Sequence, residues 1–110
     1  MISYSDFEKV DIRVGTVIEA KLNDKSNKPS IYLVIDFGDK IGEKKTSAQL
    51  TKNYLTDELI GKQVAAVINF SPKQIGKMIS EVLVLGFPDD TNNPVLVMPS
   101  MKISNGGKLF

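Results

Sequence analysis

The apolar residues of this chain come in short runs that turn-forming residues interrupt every few positions, which limits the chain to short strands and tight connections. Val10, Ile12 and Val14 alternate with Asp11, Arg13 and Gly15, and Thr16, Val17 and Ile18 extend the run. The period of two predicts a first strand, with Gly15 as a bulge where a barrel strand bends. Just upstream, Ser5 and Glu8 have the spacing of a capping box, so a short N-terminal helix is predicted from Ser5, pinned by Phe7 and Val10. Asn23 to Pro29 reads as a polar loop and Ile31 to Phe37 as a second strand. Gly38-Asp39-Lys40 turns the chain into a third strand from Lys44 to Gln49.

Thr51 to Ile60 breaks the strand pattern, and Gly61 is placed to end a helical turn. Lys62 to Phe70 reads as a fourth strand, Ser71 to Ile79 as a loop and Ser80 to Phe87 as a fifth strand. Pro88 to Pro94 forms a turn before a short sixth strand, Val95 to Met98. Short strands with one helical segment between the third and fourth predict an all-β fold. The expected form is a five-stranded Greek-key barrel of the oligonucleotide/oligosaccharide-binding (OB) type with a C-terminal strand extension; a β-sandwich is the alternative. At 110 residues, the whole of 1–110 is expected to form one domain. Val82 to Leu85 and the centre of Val64 to Ile68 are apolar on both faces, whereas a strand with one wet face alternates. A second subunit or the C-terminal tail is expected to cover the extra face.

Composition narrows the chemistry. The chain has no histidine, so both the usual general base near neutral pH and the commonest metal ligand are missing. It has no cysteine, which excludes disulfides and thiolate metal sites and fits a reducing compartment. Asp57 and Glu58 are adjacent at a helix start and do not form an acid–base pair, Ser47 has no base to activate it, and no Gly-rich phosphate loop is present. Asp89 to Asn93 lacks the spacing of a calcium loop and reads as a turn. A binding protein without catalytic residues, metal or cofactor is therefore expected. Neither a signal peptide nor an apolar run near the roughly 20 residues of a membrane span is evident, so a cytoplasmic protein without membrane insertion is expected. Charge is uneven: residues 44–80 carry six lysines against two acids, while residues 1–43 carry six basic and eight acidic side chains. The middle of the chain is where an anion would bind.

Four stretches read together: Asp11-Ile12-Arg13-Val14-Gly15; Lys44-Lys45-Thr46-Ser47-Ala48-Gln49-Leu50; Gly61-Lys62-Gln63-Val64 leading through Asn69-Phe70-Ser71-Pro72-Lys73-Gln74-Ile75-Gly76 to Ser80-Glu81-Val82-Leu83-Val84-Leu85-Gly86; and the tail Asn105-Gly106-Gly107-Lys108. In this order they resemble the tRNA-binding domain family, found on methionyl- and phenylalanyl-tRNA synthetases, in eukaryotic synthetase cofactors and as stand-alone dimers. The Ser-Ala-Gln of the third strand, the Asn-Phe-x-Pro-Lys-Gln loop and the tail are most similar to its stand-alone export-chaperone branch. The resemblance implies an OB barrel, a homodimer and ATP-independent binding of unfolded or secretory preproteins, with tRNA binding through a basic groove as the alternative. Where other branches place Arg before the Ser of the third strand, this chain has Lys44 and Lys45, and lysine offers a point charge where arginine offers a planar fork.

Candidate site residues follow. Ser47, Gln49, Asn69, Phe70 and Gln74 are expected to bind peptide, through neutral hydrogen-bonding groups and one aromatic ring at the mouth of the site. Lys44, Lys45, Lys73 and Lys77, with Ser47 and Ser80, are expected to bind nucleic acid if the third strand and the loop after the fourth approach each other. The remaining aromatics, Tyr32, Phe37, Tyr54 and Phe87, are expected mostly in the core.

Overall fold

The computed structural model describes residues 1–23, 28–75 and 78–110. Asp24 to Asn27 of the predicted polar loop, Lys77 and the Gln74 side chain lie outside the described part. The elements in order are α1 (Tyr4–Glu8), β1 (Ile12–Asn23), β2 (Ser30–Asp36), β3 (Glu43–Ala48), α2 (Thr56–Leu59), β4 (Gln63–Val67), β5 (Lys73–Ile75), β6 (Met78–Ser80), β7 (Leu83–Val84), β8 (Gly86–Pro88) and β9 (Pro94–Leu96). Five of them form one curled antiparallel sheet in the order β3-β2-β1-β4-β7, and β5-β6 and β8-β9 are hairpins.

The long first strand organises the sheet. Its first half, Ile12 to Thr16, pairs with β4, and its second half, Thr16 to Asn23, pairs with β2. The register slips between Val17 and Glu19, so the bulge falls at Ile18 and not at the predicted Gly15. Gly15 stays in register opposite Val64 and serves a different end. A Cβ there would sit 2.6 Å from Ile35 Cγ2 and 2.9 Å from the Asp36 carbonyl oxygen, so only glycine lets β1 fold this closely over β2. The bulge and the glycine together curl the sheet around its core.

That core follows the period of two. In β2 every second residue is buried, and Ile31, Leu33, Ile35 and the following Phe37 are at most 1% exposed. Val17, Val64, Ala66, Val82, Leu50 and Leu96 pack with them, and Leu59 enters from α2. Burying each large side chain contributes about 1.5–3 kcal/mol. The Tyr54 hydroxyl accepts the Leu96 amide at 2.9 Å, which ties β9 to the segment before α2.

Four local expectations are corrected. The N-terminal helix is capped by Ser3: its hydroxyl accepts the Asp6 amide while the Asp6 carboxylate accepts the Ser3 amide. The predicted loop Ser71 to Ile79 contains the hairpin β5-β6, in which Lys73 lies opposite Ser80. The predicted fifth strand is broken into β6, β7 and the start of β8, because the chain changes neighbours at Glu81 and again at Leu85. Phe87, expected inside, is 69% exposed.

The tail answers a topological need. Residues 12–15 of β1 have no strand on their β2 side, and a bare edge invites unwanted pairing. The tail fills it: the Gly106 amide donates to the Val14 carbonyl at 2.8 Å, the Val14 amide to Gly107 at 3.2 Å and the Leu109 amide to Ile12 at 2.8 Å. Arg13 holds both the Asp11 carboxylate and the Gly106 carbonyl. The tail therefore covers an edge of β1 and leaves Leu83, on β7, half exposed.

Candidate functional site

Four consecutive antiparallel pairings make the outer strands β3 and β7 point the same way. When the sheet curls, these two meet as a parallel seam, held closed by few contacts. The Glu81 amide donates to the Lys45 carbonyl at 2.9 Å, and the Glu81 carboxylate accepts the Lys45 amide at 3.1 Å in place of a backbone partner. Beside them runs a relay of polar groups. The Ser47 amide donates to the Ser80 hydroxyl (3.2 Å), which meets the Thr46 hydroxyl (2.6 Å), which donates to the Val82 carbonyl (2.7 Å). Thr46 is 1% exposed, so this pairing satisfies a hydroxyl that would otherwise be buried alone.

Where the seam opens lies a groove of about 710 Å³. Thr46 to Gln49 form one wall and Ser80 to Val84 the other, and Phe70, Ser71 and Lys73 come from the β4–β5 connection and the start of β5. Phe70 is 57% exposed and Leu83 49%, so large apolar groups face the opening without being filled by the chain's own side chains. The walls combine apolar surface with a few hydrogen-bonding groups, the usual make-up of a ligand site.

Of the residues predicted from sequence, Ser47, Gln49, Phe70, Lys73 and Ser80 line this one groove. Asn69 stands apart: its side chain accepts the Asp11 amide at 3.0 Å and donates to the Lys9 carbonyl at 2.7 Å, tying the end of β4 to the entry of β1. Lys44 and Lys45 are separated by the pleat. Lys44 is registered with Ile35, whose side chain is in the core, and Lys45 with Val34 on the opposite face. Tyr32 is half-buried on β2, Phe37 lies in the core and Tyr54 packs against it. Ser47 also donates through its hydroxyl to Ser30 at 3.0 Å.

Sequence reasoning missed Thr46, Leu83 and Val84. Leu83 and Val84 had left a signal, because they belong to the run that is apolar on both faces. Thr46 left none, since every residue from Glu43 to Ser47 is polar and the period of two is invisible there.

Comparisons with known proteins place this architecture. The profile of a family described as "Putative tRNA binding domain" matches residues 12–108. The methionine–tRNA ligase of Nanoarchaeum equitans is 36% identical over 110 residues, covering 99% of this chain and 14% of the ligase. That of Pyrococcus horikoshii is 35% identical over 109 residues, covering 98% and 14%. The chain thus spans about one seventh of the length of these curated relatives. Crystal structures of chaperone CsaA from Bacillus anthracis and Picrophilus torridus superpose with TM-scores of 0.93 and 0.92, at 44% and 48% identity. Each match covers 100% of this chain, with 99% and 100% of the respective CsaA chains.

Proposed function

This chain belongs to the tRNA-binding domain family, and we propose that it works as a binding module that holds extended, apolar polypeptide and carries out no reaction of its own. The observation that supports this reading is the groove beside Phe70 and Leu83: apolar walls, neutral hydroxyl and amide groups, and a span at the seam where a chain can lie. Hydrogen bonds to a polypeptide backbone and loose apolar contact suit clients of many sequences and allow ready release. Binding of this kind needs no nucleotide. The full-length similarity to the two chaperone CsaA structures supports polypeptide clients, and we propose unfolded secretory preproteins met in the cytoplasm as those clients.

The test is retention of an unfolded preprotein on the immobilised chain at physiological salt. Leu83→Glu is expected to weaken retention at least about tenfold while leaving the core intact, because a half-exposed apolar wall would become charged. Full retention by that variant would remove the groove from the reading.

A second reading rests on the synthetase relatives and on Lys45 and Lys73, which flank the seam: a single-stranded region of tRNA would bind there. It predicts a gel shift that Lys45→Glu with Lys73→Glu abolishes. We further propose a homodimer. Ile2, Tyr4, Leu109 and Phe110 are exposed, and the Lys108 ammonium, bound to the Glu8 carbonyl at 3.2 Å, brings the tail against α1, so they offer apolar ground for a second copy. Sedimentation equilibrium giving twice the monomer mass supports it, and a monomer at micromolar concentration ends it.

A further inference from the structure

The backbone at the rim of the groove carries more information than its side chains. The Ser47 amide points away from β2, since it donates across the seam to Ser80. In an antiparallel strand both polar groups of a residue point to the same side, so the Ser47 carbonyl points into the groove as well. Ala48 is paired with Ile31 on the β2 side, and its carbonyl also accepts the Leu50 amide. The peptide bonds among the described residues are trans, so the Gln49 amide hydrogen lies opposite the Ala48 carbonyl and faces the groove. On the other wall the Leu85 amide donates to Ala65 on β4, which turns the Val84 carbonyl outward by the same argument. No partner for these three groups is found among the described residues.

We infer that the groove takes an extended polypeptide as an added strand running parallel to β3, hydrogen-bonded through the Ser47 carbonyl and the Gln49 amide. The polarity follows from which groups are free. In a parallel pair one residue of the incoming strand donates to residue i−1 and accepts from residue i+1 of its neighbour, and Ser47 and Gln49 flank Ala48 in that relation. An antiparallel partner would exchange both bonds with Ser47 itself, whose amide is already taken by Ser80. The Val84 carbonyl is placed to accept a further amide from the strand's other edge, so the occupant completes the seam that β3 and β7 leave open. Nucleic acid lacks the regular alternation of donor and acceptor that this edge presents.

This inference rests on the polypeptide-binding reading above and narrows it to a mode. Its probe is a dansylated peptide of roughly ten residues with alternating Leu and Ser, long enough to add one strand. Gln49→Pro removes the amide hydrogen, and Gln49→Ala removes only the side chain. Strand addition predicts that Gln49→Pro binds the probe at least about tenfold more weakly than Gln49→Ala, which keeps the amide hydrogen. In the unmodified protein, saturating peptide is expected to slow hydrogen exchange of the Gln49 amide at least about tenfold, a readout independent of whether the proline variant folds. Equal binding by both variants, or an unprotected Gln49 amide beneath a bound peptide, overturns the strand mode and leaves polypeptide binding standing. A wild-type protein that ignores the peptide and binds a uridine oligonucleotide, with Gln49→Pro unaffected, fails both readings and assigns the groove to RNA.

Discussion

A hydroxyl can donate one hydrogen bond and accept two, and Thr46 uses this to close a seam that has little backbone ladder. It donates to the Val82 carbonyl, so the hydrogen between Thr46 and Ser80 belongs to Ser80, and Ser80 in turn accepts from Ser47. The donors all run one way, and each bond polarises the next. Thr46→Val keeps the shape and deletes the middle of the relay, leaving the Val82 carbonyl without this donor and the Ser80 hydrogen without its acceptor. The expected loss is about 1–3 kcal/mol in urea unfolding, and a change below roughly 0.5 kcal/mol would show that water replaces the hydroxyl. Asp89 offers a second test at this scale. The Asn93 amide, the Asn53 side chain and the Thr91 hydroxyl hold its carboxyl down from 3.8 to about 2. A depressed folded value means that the ionised form supports the fold above the unfolded pKa and that this support is lost as pH falls through the folded one. The stability difference between wild type and Asp89→Asn is therefore expected to stay level from pH 7 to 5 and to shrink between about pH 4 and 2. A gap that persists at pH 2 would mean that the turn does not depend on the charge.

The tail shows what one element does for another. Gly106 sits at φ +94°, and a Cβ there would lie 2.5 Å from the Phe37 carbonyl oxygen. Gly106→Val is expected to undock residues 103–109 and bare the edge of β1. Hydrogen exchange at position 106 and at Leu109 should then rise to loop rates while the β1–β2 ladder stays protected, whereas unchanged protection of Leu109 would show that the tail is held elsewhere. The docking of this tail was not legible in the sequence, where Ser104 to Lys108 has no period of two and nothing marks which edge it covers. The β2 strand was legible almost to the residue, because one face is fully buried and burial imposes the alternation. The N-cap was ambiguous for a local reason: Ser3 with Asp6 and Ser5 with Glu8 have the same spacing, and only the fold chooses between them. The β5-β6 hairpin was hidden because its two strands are three residues each, too short for a period, and Pro72 read as a loop residue. Five of the candidate site residues nevertheless meet in one groove, since the Ser-Ala-Gln and Asn-Phe-x-Pro-Lys-Gln stretches lie on the segments that border the seam.

At the scale of the whole molecule the question is whether charge or backbone dominates what the groove holds. The basic middle of the sequence suggested four lysines around one site, but a sequence count ignores the pleat. Lys44 and Lys45 are on opposite faces of β3, and Glu81, whose carboxylate accepts the Lys45 amide, lines the groove together with Lys73. Among the described residues, Lys45 and Lys73 are therefore the candidate cations at the seam, with an acid beside them. Each phosphate contact to a single strand contributes about −0.7 to the log–log salt slope, so a uridine oligonucleotide bound there is expected to show a slope no steeper than roughly −1.4. A peptide held by backbone hydrogen bonds and apolar contact releases almost no counterions, and its affinity should change less than about twofold between roughly 50 and 200 mM salt. Fluorescence anisotropy with both ligands over that range separates the cases. A slope near −3 for RNA would require a cationic surface beyond Lys45 and Lys73, and a steep slope for the peptide would mean that its own charges, and not its backbone, are what the protein reads.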